Sequence, residues 1–395
     1  MIKIMNNTFF ENQEYSPDLS APPGVSDINP KNPFENFTEY EDYNSNYREI
    51  VPQIDIPGCV IPFEPSKDEK RKIRHYFNIA GAGILIHLIA STGIMMTILT
   101  ILQYIVMKKD GVKASEASVQ YLSGLESFFS ESSINIGINM LVLMTCSILV
   151  FLIGSKVSKI KIGSYFQTTD LTFKTIASYC VMSFFIRYVG GLAGTAFEII
   201  FSGVDMSVGS EMMNYQNPKT IAVTAVYTCI AAPVTEELMY RGFVMKNLSR
   251  VSQRFGIIMS ALLFGLMHGN ISQFIFAFFM GIFFAHIDIR HNSLLPSIIV
   301  HAFANTFSVI VSYSGALDNV VTAGLTGIIM VALCAAGLVM YVKFYKKNRL
   351  PFTMPHQKLR NGTAVSSVML VLSIAAYAVI TVINSFPAIT DSLLY

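Results

Sequence analysis

Three groups of ionisable and amide side chains interrupt an otherwise apolar sequence. The first is Ala231-Ala232-Pro233-Val234-Thr235-Glu236-Glu237-Leu238-Met239-Tyr240-Arg241-Gly242-Phe243. The second is Phe264-Gly265-Leu266-Met267-His268, and the third runs from Ser293-Leu294-Leu295-Pro296 through His301 to Asn305. Glu237 and Arg241 stand four apart, so they share a helix face, and Glu before Arg is the favourable order for a pair. Glu236 lies about 100° round the same helix, with no counter-charge in that helix. A carboxylate so placed, partly desolvated and near an imidazole, is a candidate general base. His301 and Asn305 are also four apart, and paired donors on one face suit an oxyanion site. Each group alone has an ordinary reading. The acids could mark the aqueous end of a span, a solitary His is most often a packing residue, and His with Asn can join helices by hydrogen bonds.

The elements that must position these residues follow from composition. Hydrophobic residues make up 52% and charged residues 14%, against roughly 25% charged in soluble domains. So few charges cannot cover a soluble surface, and the expectation is an all-α polytopic membrane protein with about nine transmembrane helices. A span needs about 20 apolar residues, and candidate runs cover 77–107, 134–155, 172–203, 219–247, 255–268, 271–289, 293–313, 320–343 and 363–386. The fifth is short and is followed by Gly269-Asn270, which reads as a tight turn. It is expected to end within the membrane, where irregular backbone is tolerated only against protein or a water-filled cavity. A polar cavity near His268 follows.

Residues 1–66 carry eleven acids and three bases, the remainder fifteen acids and twenty-five bases. The predicted divisions are a disordered acidic cytoplasmic tail over 1–66, N-terminal transmembrane helices over 67–218, a core over 219–313 and C-terminal transmembrane helices over 314–395. The tail has no sustained period, and its aromatics (Phe9, Phe10, Phe34, Phe37, Tyr40, Tyr43 and Tyr47) fit a passive linker better than a docking motif. No signal-peptide apolar segment opens the chain, so the first span is expected to be retained. Lys67, Lys70, Arg71, Lys72 and Arg74 precede that span, and Lys and Arg then recur in alternate loops, with Lys108, Lys109 and Lys113 the one exception. Basic loops mark the cytoplasmic side, which puts the N-terminus inside and the C-terminus outside. Cys59, Cys146, Cys180, Cys229 and Cys334 are scattered and imply neither a disulfide framework nor a zinc ribbon. Neither a nucleotide-binding Gly-rich loop nor a basic nucleic-acid patch is present.

Taken together and in order, Glu-Glu-x-x-x-Arg, Phe-x-x-x-His and His-x-x-x-Asn resemble the CPBP intramembrane protease family, which includes the type II CAAX prenyl endopeptidases and the bacterial Abi proteins. The resemblance covers roughly 219–310 and extends to Ala232-Pro233, Arg241-Gly242-Phe243, Ser293-Leu294 and Pro296. It implies a glutamate-dependent intramembrane endopeptidase acting on a membrane-associated protein or peptide, and a bacterial source. By position, Glu236 would activate water with help from His268, His301 and Asn305 would hold the oxyanion, and Glu237 and Arg241 would organise the site. Zinc is the alternative, held by Glu236, His268 and His301. The H-E-x-x-H helix motif is absent, and an amide such as Asn305 is a better oxyanion donor than zinc ligand, so a metal-free mechanism is favoured. Two rivals remain: a non-catalytic membrane scaffold or immunity protein of the same fold, and a transporter with a Glu/His proton relay.

Other polar residues are read more plainly. His286, Asp288, Arg290 and His291 close the sixth span and are expected to meet water. Arg187 and Glu198 share a face of the third span, with snorkelling and substrate-path roles both open. His87 in the first span has no assigned role.

Overall fold

The structure, a computed structural model, describes residues 42–47, 49–50, 63–113, 118, 121–125, 132–167, 171–201, 218–316, 320–350 and 352–386. Most of the tail, with Phe9, Phe10, Phe34, Phe37, Tyr40 and Cys59, lies outside them. Residues from Tyr40 onward belong to one compact unit.

That unit is all helical. Helix α1 (Lys67–Lys109) starts at Ser66, whose hydroxyl accepts the Glu69 N–H at 3.2 Å. Asp68 and Glu69 in its first turn, and Lys108 and Lys109 in its last, match the helix dipole. Helices α2 (Ser133–Val157) and α3 (Phe173–Phe201) follow. The long helix α4 (Lys219–Leu248) carries the two adjacent acids. Beyond it lie α5 (Gln253–Met267), α6 (Ile271–His291), α7 (Leu295–Ala316), α8 (Val320–Lys347), the short α9 (Pro355–Asn361) and α10 (Val368–Ser385). Among the described residues, seven helices are long and apolar enough to cross a membrane, and two shorter apolar helices, Gln253–Met267 and Leu295–Val311, accompany them. The chain is a polytopic membrane protein, and the nine predicted runs correspond to these seven helices and two shorter ones.

Helix α4 is not a regular α-helix. Two π turns, Tyr227–Ala231 and Leu238–Val244, bracket the α-helical stretch Ala232–Glu237. Pro233 has no N–H, and its ring would press on the carbonyl four residues back in a regular helix. The wider turn ahead of it relieves that crowding, and such π turns often mark functional positions.

Helix α5 is capped by His268, and Gly269 then takes φ +69°. That left-handed conformation is what lets Asn270 turn back and accept the Gln273 N–H at 2.8 Å, starting α6. The core is aromatic. Phe77, Phe151, Tyr165, Tyr240, Phe243 and Phe264 belong to one buried cluster, and Tyr179, Phe283, Phe284 and Phe344 to a second around α3, α6, α7 and α8.

Two expectations need correction. Residues 42–47 of the tail are packed against the rest of the unit: Tyr43 and Asn46 are fully buried and Tyr47 nearly so. Asn44 donates its backbone N–H to Asn292 Oδ1 at 2.7 Å and its amide to the Ile289 carbonyl at 2.9 Å, while Asn46 bonds the Lys161 carbonyl at 3.1 Å. The segment is held by the loops it crosses, which no local period could announce. The polar end of α6 also differs: His286, Asp288 and His291 are buried, and Arg290 is exposed. Asp288 Oδ1 accepts the Ser297 N–H at 3.0 Å, tying α6 to the start of α7, and His291 Nε2 meets the Tyr179 hydroxyl at 2.7 Å. His87 is buried too, with Nε2 3.0 Å from the Ser147 hydroxyl.

Candidate active site

The two adjacent acids of α4 have opposite surroundings. Glu237 is 0% exposed; Arg241 Nη1, one turn on, stands 3.1 Å from its Oε1. The same oxygen accepts from His301 Nδ1 at 2.9 Å. The Arg241 guanidinium is itself fully buried and lies 4.1 Å from the centre of the Phe264 ring and 5.4 Å from that of Phe284. Ring faces attract a desolvated cation, so the charge of Arg241 is shared between a carboxylate and two aromatic planes. Glu237 therefore anchors both a cation and a histidine, from α4 and α7 respectively.

Glu236 faces the other way. Its side chain keeps 18% exposure, and Oε2 is 3.8 Å from His301 Nε2. The His301 ring thus bridges the two acids, with one nitrogen on Glu237 and the other towards Glu236. Phe284 stacks on it at 5.0 Å with a 26° tilt, and Phe264 meets it edge-on at 5.8 Å and 90°. Those contacts leave the ring little freedom to rotate.

Hydrogen bonding assigns the protons. A carboxylate or carbonyl oxygen can only accept, so Nδ1 of His301 carries hydrogen. His268 Nδ1 is 2.9 Å from the Phe264 carbonyl and carries hydrogen as well. In its neutral form His268 is left with a lone pair on Nε2. Asn305 Nδ2 donates to the Thr228 carbonyl at 2.9 Å, inside the first π turn of α4, and keeps a second N–H. The π turn thus orients a side chain from another helix.

Glu236, His268, His301 and Asn305 all line one cavity of about 850 Å³. Glu237 and Arg241 stand behind its wall rather than on it. A cavity is therefore present near His268, as expected, but its wall is more apolar than polar; it brings together residues of α4, α7 and the α5–α6 turn. Zinc fits this arrangement poorly. Among the described residues no three His, Cys, Asp or Glu side chains gather closely enough to hold an ion.

Sequence reasoning missed Tyr165. Tyr165 donates its hydroxyl to the Gly242 carbonyl at 2.5 Å, one residue beyond Arg241. Arg187 of α3, for which the sequence left a substrate-path role open, lines the same cavity as Glu236. Pro233 was the one local signal for the π turns. Tyr165 had none, because its role depends on a loop packing against a distant helix.

The stretch of chain that carries these residues is also the stretch that resembles known proteins. Residues 218–307 match the family described as Type II CAAX prenyl endopeptidase Rce1-like. A Bacillus subtilis (strain 168) protein named "Putative membrane peptidase YdiL" is 25% identical over 138 residues, which is 33% of this chain and 54% of that protein. The chain thus spans about half the length of this curated relative. No solved structure matches it significantly.

Proposed function

We propose that this chain, whose residues 218–307 match the family described as Type II CAAX prenyl endopeptidase Rce1-like, is a membrane endopeptidase that hydrolyses a peptide bond of a membrane-associated protein or peptide. The observation that carries this reading is the shared cavity of Glu236, His268, His301 and Asn305, backed by a buried ion pair that fixes His301.

In the proposed reaction a water sits between Glu236 and the free Nε2 of His268. Glu236 takes its proton, and the oxygen bonds to the carbonyl carbon of the substrate. Negative charge then develops on the former carbonyl oxygen. The second N–H of Asn305 and, when protonated, Nε2 of His301 donate to it from a site whose geometry is already set. Collapse breaks the C–N bond, and the proton held by Glu236 passes to the leaving amine. Glu237 and Arg241 touch neither water nor substrate; they are positioning residues acting through His301. In the proposed topology the N-terminus is cytoplasmic and the C-terminus external, because alternate loops are basic and so fall together on the cytoplasmic side.

The test compares the full-length protein with Glu236→Gln in phospholipid vesicles loaded with peptides extracted from the source membranes, followed by mass spectrometry. Products made by the unaltered protein and missing from Glu236→Gln are expected. Equal products from both, or none from either, would remove the hydrolase reading.

A further inference from the structure

Helix α3 carries Arg187 at its midpoint, about 21 Å along the axis from either end. That is too far for a guanidinium to reach the headgroups, and a cation at such depth is costly unless something answers its charge. Glu198, on the same helix, does not: its Oε1 accepts from the Ser272 hydroxyl at 2.7 Å. Among the described residues Arg187 has no carboxylate partner and no hydrogen-bond acceptor. Its one close partner there is the ring of Phe276, 5.4 Å from the guanidinium carbon. Buried cations of the other kind show the contrast, since Arg241 has Glu237.

Arg187 also opens into the cavity that holds Glu236 and His301. The wall between them is largely apolar, with Leu192, Phe276, Ala277 and Met280 among its residues. A cavity of about 850 Å³ falls within the roughly 300–1,000 Å³ typical of ligand sites. A bound chain would therefore meet apolar walls, one reactive carboxylate and one unanswered cation.

We propose that Arg187 selects the substrate by pairing with a carboxylate on the bound peptide, held in the same cavity as the bond to be cut. The planar guanidinium gives two parallel N–H donors to a carboxylate, so it fixes the peptide's orientation as well as its affinity. The carboxylate could be the peptide's free C-terminus or an acidic side chain. The inference rests on the peptidase reading for the identity of the ligand, but binding can be measured without cleavage.

The probe is a series of apolar peptides of one sequence, ending in a free carboxylate, ending in an amide, or ending in an amide with one internal Glu. Binding to the full-length protein in phosphatidylcholine vesicles is measured at equilibrium, and cleavage is followed in the same samples. A carboxylate-bearing peptide should bind about tenfold or more tightly than the plain amide, since charge-assisted hydrogen bonds are the strong class. Arg187→Gln should weaken only that peptide and erase the preference, and Arg187→Lys should restore part of it. Which of the two acidic peptides binds better identifies the source of the carboxylate.

Equal binding of all three peptides, no binding of any, or a preference that survives Arg187→Gln would overturn the proposal. So would displacement of the peptide by phosphatidylglycerol from the unaltered protein but not from Arg187→Gln, which would make a lipid phosphate the partner. An Arg187-dependent preference without cleavage would uphold carboxylate recognition while removing the hydrolase reading. Cleavage without the preference would do the reverse.

Discussion

Helix α4 holds two charged stretches barely more than a turn apart, and they are treated in opposite ways. Glu236, Glu237 and Arg241 stand at the cavity, where one carboxylate is left facing open space while the other is tied to Arg241 and His301. Lys246 and Arg250, at the end and just beyond, are closed over. Lys246 Nζ donates to the Tyr43 carbonyl and lies 3.5 Å from the centre of the Tyr43 ring. Arg250 donates to the Ser158 carbonyl at 2.5 Å, and its guanidinium carbon is 3.6 Å from the Tyr76 ring centre. In the second stretch ring faces and carbonyls answer each cation. In the first, one acid is held back from any such closure. Burial of charge alone therefore does not mark a site; a charge that is buried and still faces a cavity does.

The largest test of that difference is kinetic. Glu236→Gln keeps the shape of the side chain and removes the base, so cleavage should fall about 100-fold or more with the melting temperature unchanged. Lys246→Met, at the closed end, should leave cleavage per folded molecule unchanged. Loss of cleavage in both would mean that the two stretches act as one unit. Next in size is the pair behind the cavity wall. Arg241→Leu leaves the Glu237 carboxylate buried without its cation, which costs about 3–5 kcal/mol. Thermal unfolding in detergent should show it, and a stability equal to that of the unaltered protein would remove the ion pair from the account.

How much of this could be read from the sequence follows the same division. Charges inside apolar runs stand out because they are expensive there, so Glu236, Glu237, Arg241, His268, His301 and Asn305 could be singled out. The four-residue spacing rule placed Glu237 with Arg241 and set Glu236 apart from them. The hydrophobic period did not show the π turns, since one extra residue in a turn barely alters it, and Pro233 was the one local hint of the first. The burial of Tyr43 and Tyr47 was not legible either. Their segment is polar and aperiodic, and its packing comes from Lys246, Asn292 and Lys161, each far away in the chain. Asp288 was read as meeting water because a helix end usually does, whereas here the backbone of α7 covers it.

A smaller effect sharpens the open side of the comparison. A Cβ added at Gly281 of α6 would lie 3.1 Å from Arg241 Nη2 and 3.0 Å from the Ala261 Cβ. Both neighbours must give slightly, and overpacking of this kind costs about 1–3 kcal/mol. Gly281→Ala should therefore lower stability and shift the guanidinium off the Phe264 ring, reducing cleavage through His301. Full activity with lowered stability would show that Arg241 need not stay in place for the site to work.

The smallest expected effect belongs to the closed side and appears only in alkali. Burial pushes the phenol of Tyr43 well above its ordinary range, with the nearby Asp288 adding to the shift. Tyr47 is raised by burial too, with Glu49 adding and Arg250 opposing. A raised pKa in the folded state means that folding favours the neutral phenol. Its contribution is complete below the unfolded value of about 10 and is lost as pH rises, because the unfolded chain then ionises more readily. The contribution of these two phenols to the melting temperature should be flat in pH up to about 10 and fall above it. Replacing both tyrosines by Phe keeps the rings over Lys246 and removes the hydroxyls, so part of that alkaline fall should disappear with little change at neutral pH. An unaltered alkaline slope in the double variant would mean that these phenols already meet solvent, and the second stretch of α4 would then be open like the first.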